Sequence, residues 1–290
     1  PRERRSVSFT HTGHHVMRAN ADSFAAFRCG SIIDRFSQID MLHLDVWWRG
    51  QNVLIDPGSY RYNGAESWHN HFLRTESHNT VKVDGRDQMV HFRQFKTLYW
   101  TRAKLLRFED SSEWTIAEGE HYGYERGRHC THRRSILFVK DEIWIAIDTI
   151  LGEGQHDLSL QWLGGEFPFD FDPESSRMTL NTPEGPFCVT VLDGTGKPGA
   201  GTTVVAGAEN PPRGWHSRYY GRKVAVPSII ATTRATLPAT FVTVLAPGPV
   251  ATLVEGDSWA LQVAGRDVRF VIADGCFQGV TVAAGAEIPA

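Results

Sequence analysis

Short alternating segments, separated by turn-forming residues, run through most of this chain and constrain its fold more than any other feature. From Met41 to Trp48, successive side chains fall on opposite faces, as they do along a β-strand. The segments His132–Val139 and Glu142–Ile150 flank Lys140-Asp141 and predict a β-hairpin. Strand signals that recur about every 8–12 residues are typical of an antiparallel sandwich.

The rest of the chain follows the same pattern and contains no convincing long helix. The C-terminal part predicts strands at Leu253–Val263 and Val268–Ile272, and residues 167–173 are expected to form a loop. The 27 glycines and 14 prolines fit a protein rich in turns. We therefore predict an all-β fold, a large antiparallel β-sandwich of two packed sheets with little helix. One domain is expected to span 1–290, and the alternative is a sub-boundary near 167–173.

Charge and cysteine content exclude some classes of function. A formal net charge of −3 gives no reason to expect a nucleic acid or a membrane surface as partner, although a local basic patch would suffice to bind a sulfated sugar. No apolar run reaches transmembrane length. The four cysteines lie far apart without a CxxC metal signature, so we expect buried free thiols.

Most of the functional signal lies in the stretch 38–83. A short apolar strand ends at Asp56-Pro57-Gly58, where proline and glycine force a turn just as a carboxylate is presented. The loop that follows combines rings with an arginine, a set that suits a sugar, because a guanidinium binds carboxylate or sulfate with two hydrogen bonds. The predicted sugar-binding residues are Tyr60, Tyr62, Trp68, His71 and Arg74, with His69 in the same loop. The alternative is an Ω-loop packed by its own rings.

Four motifs occur in a specific order along the chain. They are DPGSYRY at 56–62, SHNTVKVDGRDQ at 77–88, HYGYERGRHCTHRRSILFVKDEIWIAIDTI at 121–150 and GWHSRYYGRK at 214–223. Together they resemble the heparinase II/III-like family of polysaccharide lyases over most of the chain, and specifically its C-terminal β-sandwich domain. That family also has an N-terminal helical α/α toroid, and no stretch of this sequence resembles the toroid.

The resemblance implies β-elimination on a uronic-acid-containing polysaccharide, such as a glycosaminoglycan, in the periplasm or outside the cell. Removing the proton next to the uronate carboxylate requires a base, an acid and stabilisation of the developing enolate. In the family the toroid supplies much of this machinery, so the implied partners are an acidic polysaccharide and the toroid domain. The alternatives are a non-catalytic carbohydrate-binding or scaffolding domain, and an interaction domain whose sandwich edge pairs with another chain.

The resemblance also implies a zinc site, formed by a His of an HGHAD-like motif, the Asp of DPG and the His of HNT. Asp56 and His78 match the last two, whereas the family's spacing places Gln38 at the ligand His and Phe36 at the catalytic His. An amide is a poor zinc ligand compared with an imidazole. One interpretation of Asp56, His78 and Gln38 is therefore a zinc site. The other is that these side chains hydrogen-bond one another and hold the strand ends.

The candidate proton carriers of this chain are His43, His121 and Tyr124, because imidazole and phenol groups suit proton transfer. His43 is the nearest substitute for Phe36 and shares a predicted strand face with Asp45; the alternative is that it belongs to the polar face of a half-exposed strand. His121 and Tyr124 come from the HYGY turn. Since elimination needs several converging groups, we predict that this chain alone does not turn over polysaccharide.

Overall fold

The computed structural model describes residues 4–32, 38–61, 68, 70–93, 96–140 and 142–285. Strands dominate these residues, and the predicted all-β, antiparallel sandwich class is confirmed. The described helices are two 3₁₀ turns, His71–Leu73 and Thr75–Ser77, and one α-helical turn, Glu125–Arg128. None of them is long and apolar enough to cross a membrane.

Two small antiparallel sheets form the layer that carries the loops with most of the candidate site residues. The first contains, in chain order, β1 (Val7–Phe9), β2 (His14–Arg18), β3 (Phe24–Arg28), β4 (Leu44–Trp48) and β5 (Gln51–Leu54). The second has the order β17 (Thr203–Ala206), β22 (Pro227–Thr236), β13 (Gln155–Leu163) and β6 (Val81–Val83). The Ile55 N–H donates to the Leu163 carbonyl at 3.0 Å, so the two sheets meet just beyond β5.

An eight-stranded antiparallel sheet lies behind this layer. Its order is β14 (Phe169–Asp172), β15 (Arg177–Thr182), β16 (Gly185–Asp193), β23 (Ala239–Ala246), β12 (Ile143–Leu151), β11 (Thr131–Val139), β10 (Trp114–His121) and β9 (Ala103–Asp110). The predicted hairpin is β11–β12, with Val139 paired to Ile143. The main core, which includes Phe27, Trp48 and Trp144, fills the space between this sheet and the two small sheets.

A third layer covers the opposite face of the eight-stranded sheet. It is a four-stranded meander of β24 (Val250–Glu255), β25 (Ser258–Val263), β26 (Arg266–Ala273) and β27 (Cys276–Ala284). Trp259, Phe270 and Phe277 of this meander pack with Ile145 and Val242 of the eight-stranded sheet in a second core. Because both faces of β12 are covered, eight of its nine residues are buried.

Three two-stranded ribbons complete the described strands. They are β7 (Val90–Arg93) with β8 (Lys96–Leu98), β18 (Ala208–Glu209) with β19 (Pro212–Arg213), and β20 (Trp215–His216) with β21 (Val224–Ala225). The last ribbon brings the GWHSRYYGRK motif against the DPG turn, since Ser217 donates its N–H to the Pro57 carbonyl at 2.8 Å.

Three segments differ from the sequence prediction. Residues Phe169–Asp172, expected in a loop, form the edge strand β14 by pairing with β15. The expected strand Leu253–Val263 is interrupted by a turn in which Gly256 has a φ of 60°. The expected strand from Met41 begins only at Leu44, because Leu42 adopts a left-handed backbone with a φ of 63°. That turn removes His43 from the alternating pattern of the strand.

Candidate functional site

A polar cluster at the end of β5 is built on the DPG turn. Asp56 follows β5, and its Oδ1 accepts the N–H of Gly58 at 2.8 Å. Gly58 has a φ of 80°, and a β-carbon at this position would lie 2.0 Å from the Ser217 carbonyl oxygen. Only glycine fits this conformation and this close approach, so the turn locks the carboxylate of Asp56 beside the 214–223 segment.

Asn79 connects the chain segments that surround this cluster. Its side-chain amide donates to the carbonyls of Leu44 and Ile55 at 2.9 and 3.3 Å, and its Oδ1 accepts the Leu163 N–H at 2.6 Å. Its backbone N–H donates to Nδ1 of His43 at 3.0 Å. With Nδ1 occupied as an acceptor, the other ring nitrogen of His43 faces away from Asn79.

His43, Asp56 and His78 converge at this point and form what we call the histidine–aspartate cluster. One potential ligand atom from each residue lies within 4.8 Å of the others. Nδ1 of His78 lies 3.2 Å from Oδ2 of Asp56, and the two imidazole rings meet edge to face with centroids 5.6 Å apart. Nε2 of His43 and Nε2 of His78 are buried without a hydrogen-bond partner among the described residues. Orphaned buried nitrogens beside a carboxylate are characteristic of a metal-binding arrangement.

Gln38, the predicted third metal ligand, has a different role in the structure. Its Nε2 donates to Oδ1 of Asp56 at 3.1 Å and to the Gly58 carbonyl at 3.0 Å. Both partners are acceptors, which fixes the amide nitrogen on this side. Gln38 therefore orients Asp56 by donating a hydrogen bond to it, and its role as a metal ligand stays a prediction. Phe36 lies outside the described residues.

Burial and charge set the protonation states of the cluster. Burial lowers the pKa of His43 to about 3, against the opposing effect of Asp56, so the ring is neutral near neutral pH. Burial also favours neutral His78, but the contact with Asp56 outweighs it and raises the pKa of His78 above its ordinary value. Burial likewise opposes ionisation of Asp56, yet His78 holds the pKa of Asp56 well below its usual range. Imidazole and carboxylate groups are the side-chain types that bind zinc in proteins.

The low pKa of His43 bears on its predicted role as a proton carrier. A ring with a pKa of about 3 is a weak base at neutral pH. Because Nδ1 accepts the Asn79 N–H, the neutral ring carries its hydrogen on Nε2, which could ligate a metal only after losing that hydrogen. His43 is only 6% exposed, so the alternative of a half-exposed polar strand face is wrong. Proton transfer by His43 stays a prediction.

The other two candidate proton carriers, His121 and Tyr124, are also buried. The Tyr124 hydroxyl donates to the Val81 carbonyl at 2.9 Å, and burial raises the pKa of Tyr124 well above its ordinary value. Nδ1 of His121 accepts the N–H of Gly123 at 3.1 Å, and burial lowers the pKa of His121 well below its ordinary value. These contacts describe structural side chains of this domain, and their catalytic roles stay predictions.

His121 begins a buried polar chain that sequence reasoning missed. Its Nε2 lies 3.2 Å from His132, whose other ring nitrogen lies 2.7 Å from Asp148. Arg134 donates two hydrogen bonds to Asp148, of 2.7 and 2.9 Å. The same guanidinium donates to the carbonyls of Leu42 and Asn79 at 2.7 and 2.5 Å. These buried side chains therefore support the backbone of Leu42, which precedes His43, and of Asn79, which hydrogen-bonds to His43.

The predicted sugar-binding loop divides into two parts. Tyr60, Trp68 and His71 come together as an aromatic cluster with Phe72 and Trp215. His71 and Phe72 are buried in it, so part of the loop is packed by its own rings, as the alternative interpretation proposed. Tyr62 and His69 lie outside the described residues. Arg74 is exposed and lines a separate pocket with Arg86 and Arg126.

Trp215 and Lys223 extend the aromatic cluster and were not predicted. The Nζ of Lys223 lies 3.9 Å from the ring centroid of Trp68 and 3.2 Å from that of Trp215. Such cation–π contacts fix the ammonium group beside the rings. The GWHSRYYGRK motif marks Trp215 and Lys223 in the sequence. The motif alone does not show that the Trp215 ring contacts Trp68, which lies more than a hundred residues earlier.

Comparisons with known proteins agree with this architecture. The family model described as heparinase II/III-like, C-terminal matches residues 1–259. A heparin-sulfate lyase of Pedobacter heparinus is 22% identical over 163 residues, which cover 54% of this chain and 23% of that protein. A heparin-sulfate lyase of Bacteroides stercoris is 26% identical over 126 residues, covering 41% of this chain and 16% of that protein.

Solved structures share the fold at low sequence identity. The crystal structure of the heparan sulfate lyase HepC of Pedobacter heparinus matches with a TM-score of 0.72 at 16% identity. The match covers 100% of this chain and 44% of that one. The chain therefore spans less than half the length of the relatives it matches.

Proposed function

This chain belongs to the heparinase II/III-like C-terminal family, and from that premise we propose that it is the β-sandwich part of a polysaccharide lyase. The reaction would be β-elimination on a uronic-acid-containing polysaccharide, with a heparan-type glycosaminoglycan as the first substrate to test, since the two curated relatives are named heparin-sulfate lyases. The single observation that carries the proposal is the histidine–aspartate cluster at the DPG turn.

We propose that His43, Asp56 and His78 hold a zinc ion. Two imidazoles and one carboxylate are a common catalytic zinc donor set, and each would lie about 2.0–2.2 Å from the metal. Because Nδ1 of His43 accepts the Asn79 N–H, Nε2 of His43 would release its hydrogen to solvent on binding the ion, so binding should weaken as the pH falls. Bound zinc would supply positive charge at the cleft and hold the ends of the strands together. Gln38 would act outside the ligand set, because its amide hydrogen bond orients the Asp56 carboxylate toward the ion.

The metal proposal is tested by elemental analysis of protein purified without chelator. We expect about one zinc per chain, and a loss of bound zinc in His43→Gln and His78→Ala. Gln38→Ala should keep the ion with affinity lowered about 10- to 100-fold, as for other residues that orient a ligand. His14→Gln, which removes an exposed histidine on β2, is the matched control. Zinc retained in His43→Gln would show that His43 is not a ligand.

The residues of this chain would bind and orient sugar, and the helical toroid implied by the family resemblance would supply further catalytic groups. Tyr60, Trp68 and Trp215 form the aromatic cluster, and Lys223, which is paired with Glu209 at 2.8 Å, places its ammonium group against the rings of Trp68 and Trp215. Positioning of reacting groups accounts for about 7–11 kcal/mol of a catalytic effect. Half of a cleft should therefore lose nearly all of the rate, and we propose that this chain alone is inactive.

The lyase proposal is tested by far-ultraviolet absorbance of unsaturated uronate products. Heparan sulfate, hyaluronan and alginate are incubated with the purified 290-residue chain and with a longer product of the same gene that includes any upstream helical domain. We expect product only from the longer protein, with activity lost in its His78→Ala variant. Steady turnover by the 290-residue chain would overturn the proposal that catalysis also needs groups from a helical domain. Inactivity of the longer protein on every substrate would overturn the lyase proposal.

A specific observation favours a second candidate, a non-catalytic carbohydrate-binding domain. The family's ligand histidine is replaced by Gln38, while the aromatic cluster around Trp68 and Trp215 is assembled. In that case the longer protein would bind polysaccharide without forming unsaturated product. Binding abolished by Trp215→Ala, together with zero turnover, identifies this second function.

A further inference from the structure

An open pocket of about 310 Å³ lies between two sequence motifs that the proposed function leaves unused. The VDGRDQ segment supplies Arg86 and Asp87, and the HYGYERGR segment supplies Arg126 and Arg128. Arg74, predicted as a sugar-binding residue, stands at the same pocket instead of beside Tyr60. Five charged residues therefore line one concave surface.

The charge of this pocket is positive after its internal ion pairs are counted. Arg128 is neutralised by Asp84, with Nε 2.6 Å from Oδ2. Asp87 is half-buried, and its Oδ1 accepts the Thr75 N–H at 3.1 Å. Among the described residues, the guanidinium groups of Arg74 and Arg86 make no hydrogen bond or ion pair. Three arginines against one carboxylate leave an excess positive charge that would attract an anionic ligand.

One of these arginines is held in place by an aromatic ring. The guanidinium carbon of Arg126 lies 3.5 Å from the ring centroid of Tyr99, which is 51% exposed. Stacking on the ring restricts the Arg126 side chain, so less conformational entropy is lost when an anion binds.

The floor of the pocket is rigid and joined to the histidine–aspartate cluster. A β-carbon on Gly123 would lie 2.6 Å from the Gln88 carbonyl oxygen, so the two motifs touch through a glycine. The Gln88 side chain bonds both backbone groups of Met41, at 2.8 Å to its N–H and 2.9 Å to its carbonyl. Met41 precedes His43 by two residues, and Arg74 precedes His78 by four. The pocket therefore adjoins two of the three segments that form the cluster, those of His43 and His78.

We propose that this pocket, formed by Arg74, Arg86 and Arg126 with Tyr99, binds an anionic group of an acidic polysaccharide next to the sugar that reaches the histidine–aspartate cluster. This inference rests on the proposed function for the identity of the polymer. A planar guanidinium fork matches sulfate and carboxylate equally in geometry, so the shared chemistry is an anionic sugar substituent. The pocket would set the register of the chain relative to the cluster.

The test measures binding of the 290-residue chain, by calorimetry, to a sulfated heparan oligosaccharide and to an unsulfated oligosaccharide of the same backbone. The double variant Arg86→Gln/Arg126→Gln removes two exposed charges. Lys197→Gln/Arg234→Gln removes two exposed charges far along the sequence and is the matched control. We expect the first variant to bind about tenfold more weakly or worse, since it loses charge-assisted hydrogen bonds, and the control to change affinity by less than about twofold.

The two ligands and one further condition make the outcomes distinct. A loss confined to the sulfated ligand identifies sulfate as the bound group, and an equal loss for both identifies the carboxylate. The ratio of the affinities of the unaltered chain and of Arg86→Gln/Arg126→Gln should stay the same when chelator is present, so failure of the lyase or zinc proposals is separable from failure of this one. Equal weakening by both double variants, or no binding of either oligosaccharide by the unaltered chain, overturns the proposal.

Discussion

At the scale of single residues, His43 rather than Gln38 lies with Asp56 and His78 in the histidine–aspartate cluster. The family's spacing places Gln38 where a ligand is needed, but its amide donates to Asp56. His43 reaches the cluster because the left-handed backbone of Leu42 turns it out of β4. Spacing along a sequence predicts the position of a side chain only while the backbone stays regular. The positive φ of Leu42 was enough to bring His43 to the cluster.

The low pKa of His43 predicts a pH-dependent stability of the metal-free protein. In the unfolded chain the imidazole takes up a proton as the pH falls below about 6.5, whereas in the folded protein burial lowers its pKa to about 3. Between these values the unfolded state binds more protons, so the free energy of unfolding falls as the pH falls. His78 has a raised pKa and acts in the opposite direction, but it is present in both proteins to be compared.

The comparison uses urea unfolding, with chelator present, of the unaltered chain and of His43→Gln. From about pH 7 to about pH 5, the unaltered chain should lose about 2 kcal/mol more stability than the variant. Above about pH 7 His43 is neutral in both states, and the difference between the proteins should stop changing with pH. Parallel curves over the acidic range would contradict the assignment of His43 as a buried neutral ring.

At the scale of elements, strands β11 and β12 place charged groups in the main core. His132 and Arg134 on β11 face Asp148 on β12, and Arg134 and Asp148 are fully buried. Breaking a buried pair is costly because the remaining charge keeps its desolvation penalty. The position of Arg134, which also holds the Leu42 and Asn79 carbonyls, ties this network to the backbone of the cluster.

Arg134→Met and Arg234→Met separate this buried network from an ordinary surface pair. Arg234 pairs with Asp157, and their side chains are 62% and 63% exposed. Arg134→Met should lower the free energy of unfolding by about 3–5 kcal/mol and also weaken zinc binding, whereas Arg234→Met should cost about 1 kcal/mol or less. Denaturant unfolding and zinc titration are the measurements, and equal losses in the two variants would contradict the role given to Arg134.

Local patterns explain which elements were predictable. The β11–β12 hairpin follows from alternation around Lys140-Asp141, and the DPG turn follows from proline and glycine. Strand β14 was missed because its two phenylalanines, Phe169 and Phe171, lie among aspartates and prolines that signal a loop. The meeting of Trp68 with Trp215, and of Arg74 with Arg126, depends on long-range packing that no window of sequence contains.

At the scale of the whole molecule, the C-terminal meander makes the eight-stranded sheet an inner layer. The heparinase II/III-like match ends at residue 259, within β25, so the last two strands lie beyond it. These strands nevertheless contribute Phe270 and Phe277 to the second core. The layer that bears the functional loops lies on the other face of the same sheet, so its support depends on residues outside the family match.

Phe277→Ala and Leu253→Ala test how strongly the meander supports the sandwich. Phe277 is 1% exposed, and its ring meets that of Phe270 edge to face with centroids 5.0 Å apart, whereas Leu253 is 62% exposed on the same meander. Truncating a buried phenylalanine removes its burial energy and leaves a cavity, so we expect a loss of about 3–5 kcal/mol. Leu253→Ala should change stability by about 0.5 kcal/mol or less. A single cooperative transition, shifted to lower urea in Phe277→Ala for both zinc release and tryptophan fluorescence, would show that the meander and the cluster unfold together. A meander that unfolds first, with zinc still bound, would instead show that the third layer is independent of the functional face.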